Sequence, residues 1–177
     1  NGSEDKQVGI MSSIKVGPTI ADDIKNNSFL AVIGSLIVVF LYILFRFRRW
    51  QYSLGAVTAV FHDIIVVLGI FPLTYKFMPF NMEINQAFIA AILTVIGYSL
   101  NDTVVVFDRI REYIKDHSKW PLDVTLNTAL NKTLSRTLNT SLTTLIVLLA
   151  IFIYGGESIR GFMFALIVGV VIGTYSS

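Results

Sequence analysis

Residues 29–50 read FLAVIGSLIVVFLYILFRFRRW: a 17-residue uncharged run from Phe29 to Phe45, then Arg46-Phe47-Arg48-Arg49-Trp50. At about 1.5 Å per helical residue the run reaches about 26 Å, close to the roughly 30 Å of a hydrocarbon layer. Backbone groups in lipid must bond within their own helix or inside a closed barrel. Barrel strands would show apolar and polar residues alternating over about ten positions. This run is continuously apolar, so it reads as a membrane-spanning helix with a basic foot.

Working outward, four further blocks repeat the pattern. With the first, they give spans at about 29–45, 53–75, 84–107, 134–154 and 159–177. The chain has 177 residues, 54% hydrophobic and 15% charged. A water-soluble domain carries about a quarter charged residues, so the fold class is an all-α integral membrane protein with a transmembrane domain over 28–177. The chain has no cysteine, which excludes disulfides and thiolate metal sites, and its two histidines stand far apart. No cofactor or metal is expected. The chain opens on a polar stretch without a signal sequence and stops within an apolar run, so it is expected to be part of a longer protein.

Charge placement sets the orientation. The linkers 46–52 and 109–133 contain Arg46, Arg48, Arg49, Arg109, Arg111, Lys115, Lys119 and Lys132, eight of the fourteen lysines and arginines. The opposite linkers have only Lys76 and Arg160. The positive-inside rule puts the two basic linkers in the cytoplasm and residues 1–27 outside. Trp50, Tyr52, Tyr75, Phe77 and Tyr154 fall near the expected interfaces. Within the longer linker, Pro121 and Asp123 suit a helix start, and Leu122, Leu126, Ala129 and Leu130 follow at helical spacing. An amphipathic surface helix over about 121–133, leading into the fourth span, is expected; an ordinary juxtamembrane turn is the alternative.

Ionisable groups within the spans cost about 2.5–3.5 kcal/mol each at a helix centre. Asp63, with neighbouring His62, lies in the second span, Asp102 in the third and Arg136 at the start of the fourth. Counting from the basic ends places Asp102 and Arg136 about 8 Å deep and Asp63 nearer the midplane. Carboxylates at two depths, one beside a guanidinium, suit stepwise proton passage, because a nearby cation biases the protonation state of an acid. Ser99, Asn101 and Thr103 surround Asp102, and Arg136, Asn139, Thr140, Thr143 and Thr144 form a polar stripe. Such a stripe must face protein or water. The hydroxyl and amide groups serve equally well as interhelical hydrogen bonds, and His62 or a neighbouring helix could satisfy Asp63 structurally. Gly169 and Gly173 have the small-xxx-small spacing that permits close helix approach, a weak signal on its own.

The run Gly97-Tyr98-Ser99-Leu100-Asn101-Asp102-Thr103-Val104-Val105-Val106-Phe107-Asp108-Arg109-Ile110-Arg111-Glu112 resembles the signature of the SecF family. Phe61-His62-Asp63, Ala129 to Thr137, Asn139-Thr140-Ser141 and the ending Gly173-Thr174-Tyr175-Ser176-Ser177 agree with it in order and spacing. The resemblance implies an RND-type helix bundle with five of the six SecF spans, residues 1–27 being the tail of a periplasmic domain. It also implies proton passage through Asp102 and Arg136. The function implied is use of the proton gradient to help preproteins across the bacterial inner membrane. The implied partners are SecD, in some proteins on the same polypeptide, and the SecY/SecE/SecG channel, with YajC and YidC as further candidates. Preprotein and membrane lipid complete the set, and no nucleic acid is expected. The competing readings are an RND-type proton-driven exporter of lipids or small molecules and a structural scaffold. No nucleophile constellation, metal cluster or phosphate loop supports an enzyme.

Overall fold

The structure, a computed structural model, describes residues 18–80 and 82–177, with side chains from residue 27 onward. Most of the expected external tail therefore lies outside the described residues. Five helices follow in order: α1 (Pro18–Phe47), α2 (Trp50–Thr74), α3 (Gln86–Asp116), α4 (Leu122–Tyr154) and α5 (Glu157–Ser176). Each is long and apolar enough to cross a membrane, and no strand occurs among the described residues.

The helix ends follow local chemistry. Helix α1 stops at Arg48, which takes a left-handed φ of 55° and returns its N–H to Leu44 O at 2.8 Å. Glycine usually fills such a position; here an arginine does, and two residues suffice to turn the chain into α2. Asn85 caps α3, its side chain accepting from Phe88 N at 3.1 Å. Beyond the apolar block, α3 runs on past Phe107 to Asp116, and α4 is one unbroken helix of 33 residues from Leu122. The linker expected at 109–133 is thus reduced to a turn at 117–121, and the amphipathic segment is the first part of α4 itself. Hydropathy reports the thickness of lipid, whereas the backbone ladder continues into water when side chains support it. Arg109 to Glu112, one turn apart at 2.7 Å, is such a support. Tyr113, His117 and Trp120 stack at the hairpin, with His117 and Trp120 ring centroids 4.0 Å apart.

Helices α3 and α5 form the centre: among the described residues α3 packs on the other four helices, α5 on α2, α3 and α4, and α1 on α2 and α3. Phe71, Phe88, Val95, Ile96 and Leu166 belong to the main core. A second cluster ties the basic ends of α1, α2 and α3 through Ile43, Phe47, Ala56 and Phe107. Tyr52, expected as an interfacial ring, packs there edge-on to Phe107 at 5.0 Å, whereas Trp50, Tyr75, Phe77 and Tyr154 stay exposed near helix ends. Arg46 reaches Asp108 at 3.0 Å across the same end. The outer surface carries large exposed apolar groups such as Phe29, Phe45 and Leu73, as a lipid-facing wall requires.

In lipid, apolar burial drives helix association only weakly, and close packing with interhelical hydrogen bonds takes over. Gly169 and Gly173 supply the close packing. A Cβ at Gly169 would overlap Val95 Cγ2, and one at Gly173 would meet Ser99 Cβ at 3.1 Å. Two glycines one turn apart thus let α5 lie directly on α3.

Candidate functional site

The second and third spans meet at a buried carboxylate. Asp63 on α2 is 1% exposed and accepts a 2.7 Å hydrogen bond from Ser99 Oγ on α3. Its other oxygen lies 3.2 Å from Nδ1 of the half-exposed His62. Thr103 donates to Ser99 O at 3.1 Å, and Gly173 lies so near Ser99 that a Cβ there would crowd it. Ser99 is therefore held between two helices with its hydroxyl aimed at Asp63. Ser99→Ala is expected to lower stability by about 1 kcal/mol, the usual worth of an interhelical hydrogen bond in a bilayer. Unfolding with a denaturing detergent measures it, and Ser99→Thr should recover little because Gly173 leaves no room for a methyl.

Asp102 lies three residues further along α3 and is 2% exposed. Among the described residues no hydrogen bond reaches its carboxyl. The guanidinium of Arg136 acts on it electrostatically, but the two form no ion pair within 4.0 Å. Arg136 is instead exposed on α4, in a row with Asn139 and Thr143 on the outer surface of this bundle. The sequence expectation that Asp102 and Arg136 share a level thus gains neighbouring helices and electrostatic reach, without direct contact.

Asp63 lies closer to Asp102 in depth than residue counting indicated. Its partner Ser99 is three residues from Asp102, a rise of about 4.5 Å. Counting treated each helix separately, whereas the Asp63–Ser99 bond fixes which residues of α2 and α3 face each other. Both carboxylates therefore converge on a single turn of α3, from Ser99 to Thr103.

The remaining expected residues divide by what their polar groups do. Asn101 is exposed. Thr140 donates to Arg136 O at 2.9 Å, and Thr143 and Thr144 likewise bond their own helix, which satisfies hydroxyls within apolar spans. Sequence reading did not single out a hydroxyl group at the junction of α3, α4 and α5. Tyr98 Oη lies 3.2 Å from Ser141 Oγ, and Thr174 Oγ1 lies 2.6 Å from both Ser141 Oγ and Val170 O. Thr174 has one hydroxyl hydrogen. With that hydrogen on Val170 O, Ser141 donates to Thr174 and Tyr98 donates to Ser141, so every donor is used. The signal for this cluster in the sequence was only one hydroxyl within each of three apolar runs, Tyr98, Ser141 and Thr174, which also reads as ordinary interhelical hydrogen bonding.

Residues 2–177 match the family described as "Protein export membrane protein SecD/SecF, C-terminal". The protein translocase subunit SecF of Rhodothermus marinus is 53% identical over 162 residues, covering 92% of this chain and 52% of that protein. The protein translocase subunit SecDF of Brucella abortus is 46% identical over 162 residues, covering 92% of this chain and 20% of that one. A crystal structure of SecDF in its super-membrane-facing form matches with a TM-score of 0.76 at 40% identity, over 91% of this chain and 20% of the SecDF chain. The chain thus spans about half the length of that SecF relative. A five-helix membrane bundle, a buried carboxylate in the quoted motif and a family match over nearly every residue lead to one conclusion: the chain belongs to the SecD/SecF C-terminal family of protein-export membrane proteins.

Proposed function

We propose that this chain is the greater part of the membrane domain of a SecF protein, or of the SecF half of a SecDF protein. In that role it works with SecD beside the SecY/SecE/SecG channel and uses the proton gradient to assist preprotein translocation across the bacterial inner membrane. The observation that carries the reading is Asp102, an acid buried at membrane depth on the central helix, with no hydrogen bond among the described residues and with Arg136 in electrostatic reach. A carboxylate so placed is costly and is retained where charge or protons move. Asp63, held by Ser99 and His62 one turn away, is the second carboxylate of the path. In this reading residues 1–27 are periplasmic, and the Arg46–Tyr52 and Arg109–Thr133 segments face the cytoplasm.

Each proton entering down the gradient contributes about 2.3 kcal/mol per 100 mV. The test is preprotein export by membrane vesicles depleted of this protein and refilled with the full-length chain and SecD. Export should gain a gradient-dependent component only after refilling. A gradient response that refilling leaves unchanged would exclude the proposal, and co-purification of a lipid or drug in place of channel subunits would favour an exporter.

A further inference from the structure

A buried hydroxyl on α4 lacks a partner, and the facing turn of α3 carries a carboxyl. Thr137 on α4 is 7% exposed, and its Oγ1 is buried with no hydrogen-bond partner. Asp102 on α3 is 2% exposed and makes no hydrogen bond among the described residues, yet its oxygens are not fully buried. An unsatisfied buried hydroxyl is uncommon and costly, so Thr137 calls for an explanation.

The helix register supplies one. Helices α3 and α4 are joined by a tight turn and run antiparallel. Tyr98 on α3 touches Ser141 on α4. Four residues further along α3 is Asp102, and four residues back along α4 is Thr137, so both steps move one turn, about 6 Å, toward the basic ends. Residues four apart share a helix face. The buried face of α4 repeats at this spacing, through Thr125, Ala129, Thr133, Thr137 and Ser141. Among the described residues helix α4 packs on α3 and α5, and the Tyr98–Ser141 register brings the Asp102 turn of α3 opposite Thr137. Arg136, adjacent to Thr137 in sequence, acts electrostatically on Asp102.

Resting on the proton-driven reading above, we propose that Thr137 is a positioning residue for Asp102: its hydroxyl is the hydrogen-bond partner that the Asp102 carboxyl takes up during the cycle. When Asp102 is ionised, Thr137 donates to the carboxylate. When Asp102 is protonated, its O–H donates to Thr137 Oγ1. A change of side-chain rotamer makes and breaks the bond while both groups stay buried. Arg136 supplies charge and Thr137 supplies direction. The Tyr98–Ser141–Thr174 cluster, one turn deeper, keeps α3 and α4 in register as the rotamer changes.

The test uses the full-length chain with SecD in proteoliposomes, comparing Thr137→Val with Thr137→Ser. Infrared difference spectra between acid and alkaline pH report Asp102 through its carboxyl and carboxylate stretches, assigned by their loss in Asp102→Asn. The valine variant should move these bands to the positions of a group lacking a hydroxyl partner, the serine variant should restore them, and gradient-driven export should fall about tenfold with valine alone. Bands at their wild-type positions in Thr137→Val overturn the proposal, even if export falls, because the hydroxyl would then act only through packing. Failure of the proton-driven reading looks different: Asp102→Asn would keep the gradient response while Thr137→Val still moved the bands.

Discussion

Asp102→Asn is expected to reduce the gradient-dependent part of preprotein export to background while leaving the protein inserted and folded. Asparagine matches aspartate in size, so the buried site at α3 stays filled. The side chain keeps hydrogen-bonding capacity but cannot carry a proton. It also removes an acid that is costly in lipid, so insertion should be unimpaired or improved. The loss is therefore one of drive: about 2.3 kcal/mol per proton at 100 mV, roughly fiftyfold in an equilibrium. The measurement is export by refilled vesicles with and without an imposed gradient, with protein amount checked by blotting. Asp102→Glu should retain part of the response, since it keeps an acid at the same turn. A full response from the asparagine variant would mean that Asp102 does not carry the proton.

Gly169→Leu should separate α5 from α3 and leave little folded protein. Any Cβ at this position overlaps Val95, which is 1% exposed and enclosed in the main core. Valine in a helix is largely restricted to one χ1 rotamer, so it cannot swing aside. Helix α5 must instead retreat, and the contact of Gly173 with Ser99 opens with it, loosening the hydrogen bond to Asp63. Overpacking of this kind costs about 1–3 kcal/mol even for small additions, and leucine adds more than a methyl. Resistance to proteolysis and to denaturing detergent should fall sharply. Gly97→Leu is the internal control: it lies on α3, close in sequence to Val95, yet a Cβ there meets nothing within 4 Å. Equal damage from both variants would show that the effect is not close packing at Gly169.

The fold was legible because hydropathy and helix length report on the same physical quantity, the thickness of the bilayer. What hydropathy could not place were helix ends lying in water, which is why α3 runs past Phe107 to Asp116 and α4 begins at Leu122. The acids of the site were legible for a related reason: a charge within an apolar run stands out by its cost. Their partners were not. Ser99 looks the same in a sequence whether it bonds its own helix or a carboxylate on another, and only the packing of α2 on α3 decides. The approach of Gly169 to Val95 depends in the same way on which face of α5 turns inward. Depth counted along separate helices also overstated the separation of Asp63 and Asp102, because a sequence does not show which residues of two helices face each other.

The outward row of Arg136, Asn139 and Thr143 on α4 bears on how the protein matures in its membrane. A lone bundle would have to solvate that row by drawing water and headgroups inward and thinning the bilayer around α4. That deformation vanishes once protein or a hydrated channel covers the row. The surrounding lipid therefore favours any packing that covers this row. Chains made in excess over whatever seals this face should be the ones that membrane proteases remove first.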